Sequence, residues 1–401
     1  MYAALEYVAI GLVAVVLVIS TLSSMHALVQ GVKLVESEQL YTVAERVLNK
    51  VLLTPGRPIN WGTDLTITED NMTDFGLALA GSQEPYVLDP DKLMRLVNYS
   101  WFGNPAFLDP RRVASLLKLE DYGFTLEFAP LFTLRATPLA VDPDTGVAVQ
   151  FKVTAINYED MPLANVNVTG LLLVLYSEDG CGLSTPADVS YALLRDSEIT
   201  GIDGSCILDY SSGFEALKPS LPSSGDKVTY VLILYGEWYG YRTTSHYAPD
   251  QGALDVYLIG PYVIAEYAVD APPYGAVLLK DEAFEALPDY SKLVEVQKVV
   301  IECVGDDPGD WTPACRVLNR GAKLYQLYRL EHVERLASHA ILVGCRQGRL
   351  FAYVASKYPV EPVRYGLLEE VHAANLVVLT RLVQVSGYSY AVRLYLWRWR
   401  E

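Results

Sequence analysis

The chain has 401 residues and a formal net charge of −17. An acidic surface repels phosphate backbones, so nucleic acid is excluded as an expected partner. Charged residues make up 20% and hydrophobic ones 51%, the balance of a globular protein with one membrane-type segment, and the length suffices for two or three domains.

The first segment, 1–54, contains no proline. Between Tyr7 and Val32 it contains no Asp, Glu, Lys or Arg, and its centre reads YVAIGLVAVVLVISTL. A run of that length predicts a helix able to span a hydrocarbon layer. From Gly31 the pattern turns amphipathic, with Val32, Val35, Leu40, Val43, Val47 and Val51 at helical spacing. The expectation is one continuous helix of roughly 75 Å at 1.5 Å per residue, ended by Pro55. Its second half needs a partner surface, either sibling helices or the chain's own head. Glu6, the fifth residue counted from Tyr2, is a carboxylate just inside this apolar run and calls for a partner.

Residues 55–121 read as a neck. PGRPINWGTD is turn-rich, and Leu88-Asp89-Pro90 and Leu108-Asp109-Pro110 each predict a short helix with Asp as N-cap and Pro at the first helical position. From Tyr122 the texture alternates. Segments such as YGFTLEFAPLFTLRATPLAV, GVAVQFKVTAINYE and NVNVTGLLLVLY, parted by Gly, Pro and Asp turns, predict an antiparallel β-sandwich of immunoglobulin-like type over 122–271. Pro272-Pro273 marks a boundary, and 272–401 reads as a second β-rich domain. It holds a short helix at KDEAFEAL, strands through Lys323–Ala340, where periodicity alone also allows a helix, and a closing hairpin around Ser386-Gly387. The fold class expected is therefore α+β: a long N-terminal hydrophobic helix followed by β-sandwich heads.

The N-terminus Tyr2-Ala3-Ala4-Leu5-Glu6-Tyr7, with the Val/Ile/Leu/Ala run behind it, resembles type IV pilins, more closely archaeal pilin and archaellum-like proteins. The PG-x-P-x-x-WG, FGLA and LDP-x-K-L stretches that follow are similar to archaeal surface proteins of the same type. The resemblance covers roughly residues 1–130. It implies a filament whose core holds the N-terminal helices, with Glu6 pairing the amino terminus at Tyr2 of a neighbouring copy. Family precursors carry a short basic leader, whereas this chain has no Lys or Arg before Lys33.

Five cysteines occur, none in a C-x-x-C pair, which removes support for zinc or thioredoxin-type chemistry. Cys181–Cys206 and Cys303–Cys315 are local disulfide candidates, with Cys345 then free or pairing Cys315 instead; the alternative is five reduced, buried thiols. Asn71, Asn98 and Asn167 head N-x-[ST] sequons and are N-glycosylation candidates. Asp142–Gly146 and Asp306–Asp310 read as turns, with calcium loops as the alternative. His332 and His339 share a segment whose spacing matches no zinc motif. Trp238, Tyr239, Tyr241 and Tyr247 form an aromatic group suited to a sugar, a partner face or half-buried sheet.

No G-x-S-x-G, Walker A or dinucleotide fingerprint occurs, so neither an enzyme nor a cofactor is expected. The expected function is a structural subunit of an extracellular pilus-like filament. Its partners are copies of itself, the membrane before assembly, and a surface ligand met by adhesive heads. The alternative is a single-pass anchored surface protein that binds a glycan or protein ligand.

Overall fold

The computed structural model describes residues 20–21, 25, 38–98, 104, 106–177, 189–249, 256–266, 273–281, 294–299, 301–303, 317–320, 323–330, 337–346, 348–367 and 376–399. Among these, strands predominate and form five sheets. The first runs in the order β1 (Val87–Leu88), β20 (Leu376–Val385), β21 (Tyr388–Arg398), β2 (Tyr122–Pro130) and β19 (Val363–Gly366). Its centre is the closing hairpin expected from sequence: β20 and β21 pair antiparallel through a turn at Ser386 and Gly387, both at positive φ. β2 lies along β21 for its whole length, so this sheet spans the boundary drawn at residue 272.

A β-sandwich follows. β3 (Phe132–Val141), β4 (Ala148–Asn157) and β7 (Ser205–Asp209) face β6 (Ser190–Ile199), β5 (Asn167–Tyr176), β8 (Val228–Trp238) and β9 (Tyr241–Tyr247). Phe132, Phe151, Leu172, Val174, Leu208, Leu232 and Leu234 fill the space between them. β5 and β8 are near-continuous apolar runs because both of their faces are covered. Their other face, with Leu171, Leu173, Val231 and Ile233, joins the larger core. That core also receives Ile341 and Val354 from a sheet ordered β13 (Val294–Val299), β12 (Pro273–Asp281), β17 (Ala337–Arg346), β18 (Arg349–Ser356). The last sheet is β10 (Val256–Ile259), β11 (Tyr262–Glu266), β16 (Lys323–Leu330) and β14 (Ile301–Cys303), with β15 (Val317–Arg320) also on β16. β16 and the start of β17 make residues 323–330 and 337–340 of the Lys323–Ala340 stretch strand, and 331–336 lie outside the described residues. Lys280 and Asp281 end β12 where the KDEAFEAL helix was expected to begin, and the rest of that stretch lies outside the described residues.

The expected α+β class with a long N-terminal helix is corrected. Among the described residues the helices are short, and none is long and apolar enough to cross a membrane. Residues 38–53 form helix α1, and the hydrophobic run before it lies outside the described residues. Leu40, Ala44, Val47, Leu48, Val51 and Leu52 recur at three- and four-residue spacing, and all are buried. They share one core with Leu379, Val383 and Val385 of β20 and with Phe124, Leu126 and Phe128 of β2. Arg381 of β20 reaches Glu45 of α1 at 3.8 Å. Over residues 38–53 the amphipathic part of the segment thus finds its partner surface on its own head, and residues 31–37 lie outside the described residues. The neck helices α2 (Pro90–Met94) and α3 (Pro110–Leu116) form as expected, capped by the carboxylates of Asp89 and Asp109. A further helix, α4 (Ser211–Leu217), closes over the sandwich core through Phe214.

Candidate functional site

Two places gather the functional side chains. The first is the joint between α1 and the head, built from the neck motifs. Pro55 O accepts the Trp61 indole N–H at 3.2 Å. The Trp61 ring is fully buried, with Lys92 Nζ 5.9 Å and Arg95 Cζ 5.8 Å from its centroid. Lys92 Nζ donates to Ala78 O at 3.1 Å and lies 3.5 Å from Asp89 Oδ2. Arg95 donates to the carbonyls of Trp61, Ile67 (2.7 Å) and Ala106 (3.1 Å). Burial lowers the Arg95 pKa to about 10, and it draws the Lys92 ammonium down as well, against the pull of Asp89. A methyl group on Gly62 would sit 2.6 Å from Lys92 Cγ, and one on Gly76 would run into Thr54 O. The prolines, glycines, tryptophan and lysine of PG-x-P-x-x-WG, FGLA and LDP-x-K-L therefore meet in one knot. Asp91 ties that knot to the β10–β11 turn: its Oδ1 accepts Gly260 N–H at 2.8 Å, with Lys357 Nζ 3.7 Å away. Burial raises the Asp91 pKa, and Lys357 opposes the rise.

The second place is the outer face of the first sheet, beside one end of the sandwich. Arg364, Glu127 and Arg393 stand directly opposite one another on β19, β2 and β21. Neighbouring strands lie about 4.8 Å apart, so the three side chains form a cross-strand ladder. Glu127, only 7% exposed, accepts from Arg364 Nε (3.1 Å), Arg393 Nη1 (3.1 Å) and the Tyr395 hydroxyl (2.9 Å). Burial acts to raise the Glu127 pKa, but the bonds from Tyr395, Arg364 and Arg393 outweigh it and hold the carboxyl below its ordinary value. Arg393 Cζ lies 4.4 Å from the Tyr158 ring centroid, which brings the sandwich loop onto the ladder.

Three turns share that end of the sandwich. Asn167 of β5 pairs with Ile199 on one side and Glu237 on the other. Thr200 Oγ1 donates to Leu163 O at 2.8 Å and accepts Val166 N–H at 2.9 Å, which locks two of the loops together. Asp203 accepts from the Ser205 amide and hydroxyl, shaping a turn that leaves Ile202 95% exposed. Tyr239 and Gly240, at φ 50° and 84°, make the β8–β9 hairpin and leave Tyr239 81% exposed. Tyr158 and Met161 are exposed beside them.

The sequence-predicted residues are distributed differently. Tyr2, Glu6, Cys181, Cys315, His26, His332 and the Asp306–Asp310 loop lie outside the described residues. Cys303 and Cys345 are placed by backbone alone, on β14 and β17. Cys206 is a buried free thiol on β7, pushed to about 11 by burial, with Glu198 and Asp196 adding to the rise. Asn71, Asn98 and Asn167 are all exposed, and Asn98 Oδ1 accepts the Asn104 amide at 3.1 Å. In the Asp142–Gly146 turn the two carboxylates are paired with Lys218, whose Nζ lies 2.6 Å from Asp142 Oδ1 and 2.7 Å from Asp144 Oδ2. Among the described residues no cluster of three or more His, Cys, Asp or Glu could hold a metal. The aromatic group divides, with Trp238 and Tyr247 packed at the edge of the sandwich core and Tyr239 and Tyr241 exposed.

The ladder and the His246–His339 pair were missed by sequence reasoning. His246 on β9 and His339 on β17 have ring centroids 6.2 Å apart, and only the fold brings them together. The ladder left a faint signal: one charge set in each of three apolar strands, in LEF, PVRYG and AVRLYL. No protein-family model matches the chain, and no curated protein matches it either.

Proposed function

We propose that this chain is a subunit of an archaeal pilin-like surface filament, with a β-rich head that makes adhesive contacts through the loop end of its sandwich. The observation that carries this reading is the knot around Trp61. The neck residues that resemble archaeal surface proteins hold α1 at one fixed angle on the head. A flexible tether needs no such joint, whereas stacking of identical copies requires each head to leave its N-terminal segment in the same direction. The apolar sequence before α1, with Tyr2 and Glu6, supplies the contacts between copies and the membrane anchorage before assembly, and the head is displayed at the cell surface. Asn71, Asn98 and Asn167 are exposed there as glycan acceptors.

A second reading, the single anchored receptor, draws on the burial of the α1 stripe against its own head, which leaves that stripe no need of siblings. Electron microscopy of native surface material from cells carrying the full-length chain separates the two. The expected outcome is fibres for the natural chain, and membrane-inserted protein without fibres for Glu6→Gln. Natural material that consists of single molecules in lipid would leave only the receptor reading.

A further inference from the structure

We propose that the Arg364–Glu127–Arg393 ladder is a binding site for a carboxylated saccharide, a uronic acid unit, with the carboxylate received by the outward donors of Arg364, beside the position that Glu127 fills between the two guanidinium groups. The proposal deepens the surface-head reading by naming what the head grips.

Two arginines here answer one carboxylate, so the spot is locally cationic on a chain whose formal charge is −17. At physiological ionic strength acidic groups beyond about 8 Å are screened; on the loop that carries Tyr158, Glu159 and Asp160 follow it, and Asp160 lies 3.7 Å from Arg135. Each arginine meets the Glu127 carboxylate through a single nitrogen, Nε of Arg364 and Nη1 of Arg393. A guanidinium carries five N–H donors in a planar fork, so Arg364 keeps donors to receive a second carboxylate, while Arg393, 20% exposed and against the Tyr158 ring, anchors Glu127. The Arg364 side chain is 64% exposed, which keeps its fork within reach of solvent. Glu127 is buried and fixes both groups, so little ordering is left to a ligand.

The surroundings suit a sugar ring. Tyr158 stacks on Arg393 and is itself exposed, offering a flat apolar surface to the C–H face of a pyranose. Tyr395 lies two residues from Arg393 on the same strand face, and on β20 the exposed Val378 and Leu382 stand two residues to either side of Thr380, the partner of Arg393. A bare inorganic anion would use the arginines and ignore these rings, and a neutral sugar would do the reverse.

The test is calorimetric titration of the full chain, dispersed in detergent, with trigalacturonate, its trimethyl ester, and a short neutral peptide ending in a free carboxylate. The expected result is saturable binding of trigalacturonate, at least tenfold weaker binding of the ester and the peptide, and a tenfold loss for Arg364→Gln. Tyr158→Ser should weaken trigalacturonate several-fold and leave the affinity for plain acetate unchanged. Both variants alter exposed side chains, and an unchanged melting curve verifies that each is folded. Ester binding equal to that of the acid, peptide binding equal to that of the saccharide, or an Arg364→Gln chain with natural affinity would each overturn the proposal. Because the assay uses dispersed protein, an absence of fibres would sink the filament reading and leave this result standing.

Discussion

Buried titratable side chains make individual residues consequential here. His246 and His339 are enclosed where β9 of the sandwich meets β17 and β18. The Ser356 hydroxyl lies 3.4 Å from His246 Nδ1, and the Tyr358 ring centroid lies 6.0 Å from that of His339. Burial lowers His246 to about 4 and His339 to about 3, the latter with a contribution from His246. The unfolded chain protonates these rings near 6.5, so it binds more protons than the folded one as pH falls below that value. Stability is complete above the unfolded pKa and declines on acidification, by at most about 2 kcal/mol per imidazole between pH 8 and 5. Urea unfolding across that range should show the decline, and His339→Phe should flatten it. A natural chain equally stable at both ends would remove the histidines from the argument. At the joint, the Lys92 side chain is fully buried beside Asp89. Lys92→Ala should cost about 3 kcal/mol, because it strands part of an ion pair and opens space under Trp61. Lys92→Met fills the space and should cost less. Thermal melts of the two variants decide whether charge or volume dominates.

Local signals in the sequence were sufficient for several elements. The Asp-Pro pairs at Asp89 and Asp109 predict α2 and α3 because cap and first helical position are set within three residues. The Ser386-Gly387 turn between alternating runs predicts the β20–β21 hairpin for the same reason. What failed was non-local. The stripe from Leu40 to Leu52 was visible as amphipathic, but periodicity does not say what covers it, and β20 lies more than three hundred residues away. The ladder has the same character: Glu127 pairs with residues at 364 and 393, and only the sheet order β21–β2–β19 makes them neighbours. Because α1 packs on the head, Leu48→Ala should destabilise the head itself by about 2–5 kcal/mol. Denaturant unfolding followed by tyrosine or tryptophan fluorescence measures this. A helix that merely extended from the head would leave the midpoint unmoved.

For the molecule as a whole, the sheet that joins β2 to β21 decides how the chain divides. The sequence suggests a unit ending at residue 271 and another beginning at 272. In the structure the last two strands are central to a sheet whose other members are β1 from the neck, β2 from the start of the sandwich region and β19 from the C-terminal region. Removing residues 376–401 would expose Phe124, Leu126 and Phe128 of β2 together with the buried face of α1. Each such side chain contributes roughly 1.5–3 kcal/mol when buried, more in sum than the usual margin of a domain. The sandwich between β3 and β9 keeps its own core of Phe132, Phe151, Leu172 and Leu234. Hydrogen exchange on the truncated chain should therefore find residues 38–130 unprotected while β4 and β5 retain slow amides. A chain built as two successive domains would give the opposite pattern, with protection unchanged up to residue 271. The comparison also bears on assembly. On the filament reading proposed above, the last strands, by holding α1, take part in setting the angle at which each copy leaves its N-terminal segment, and truncation should abolish ordered fibres even with Glu6 intact.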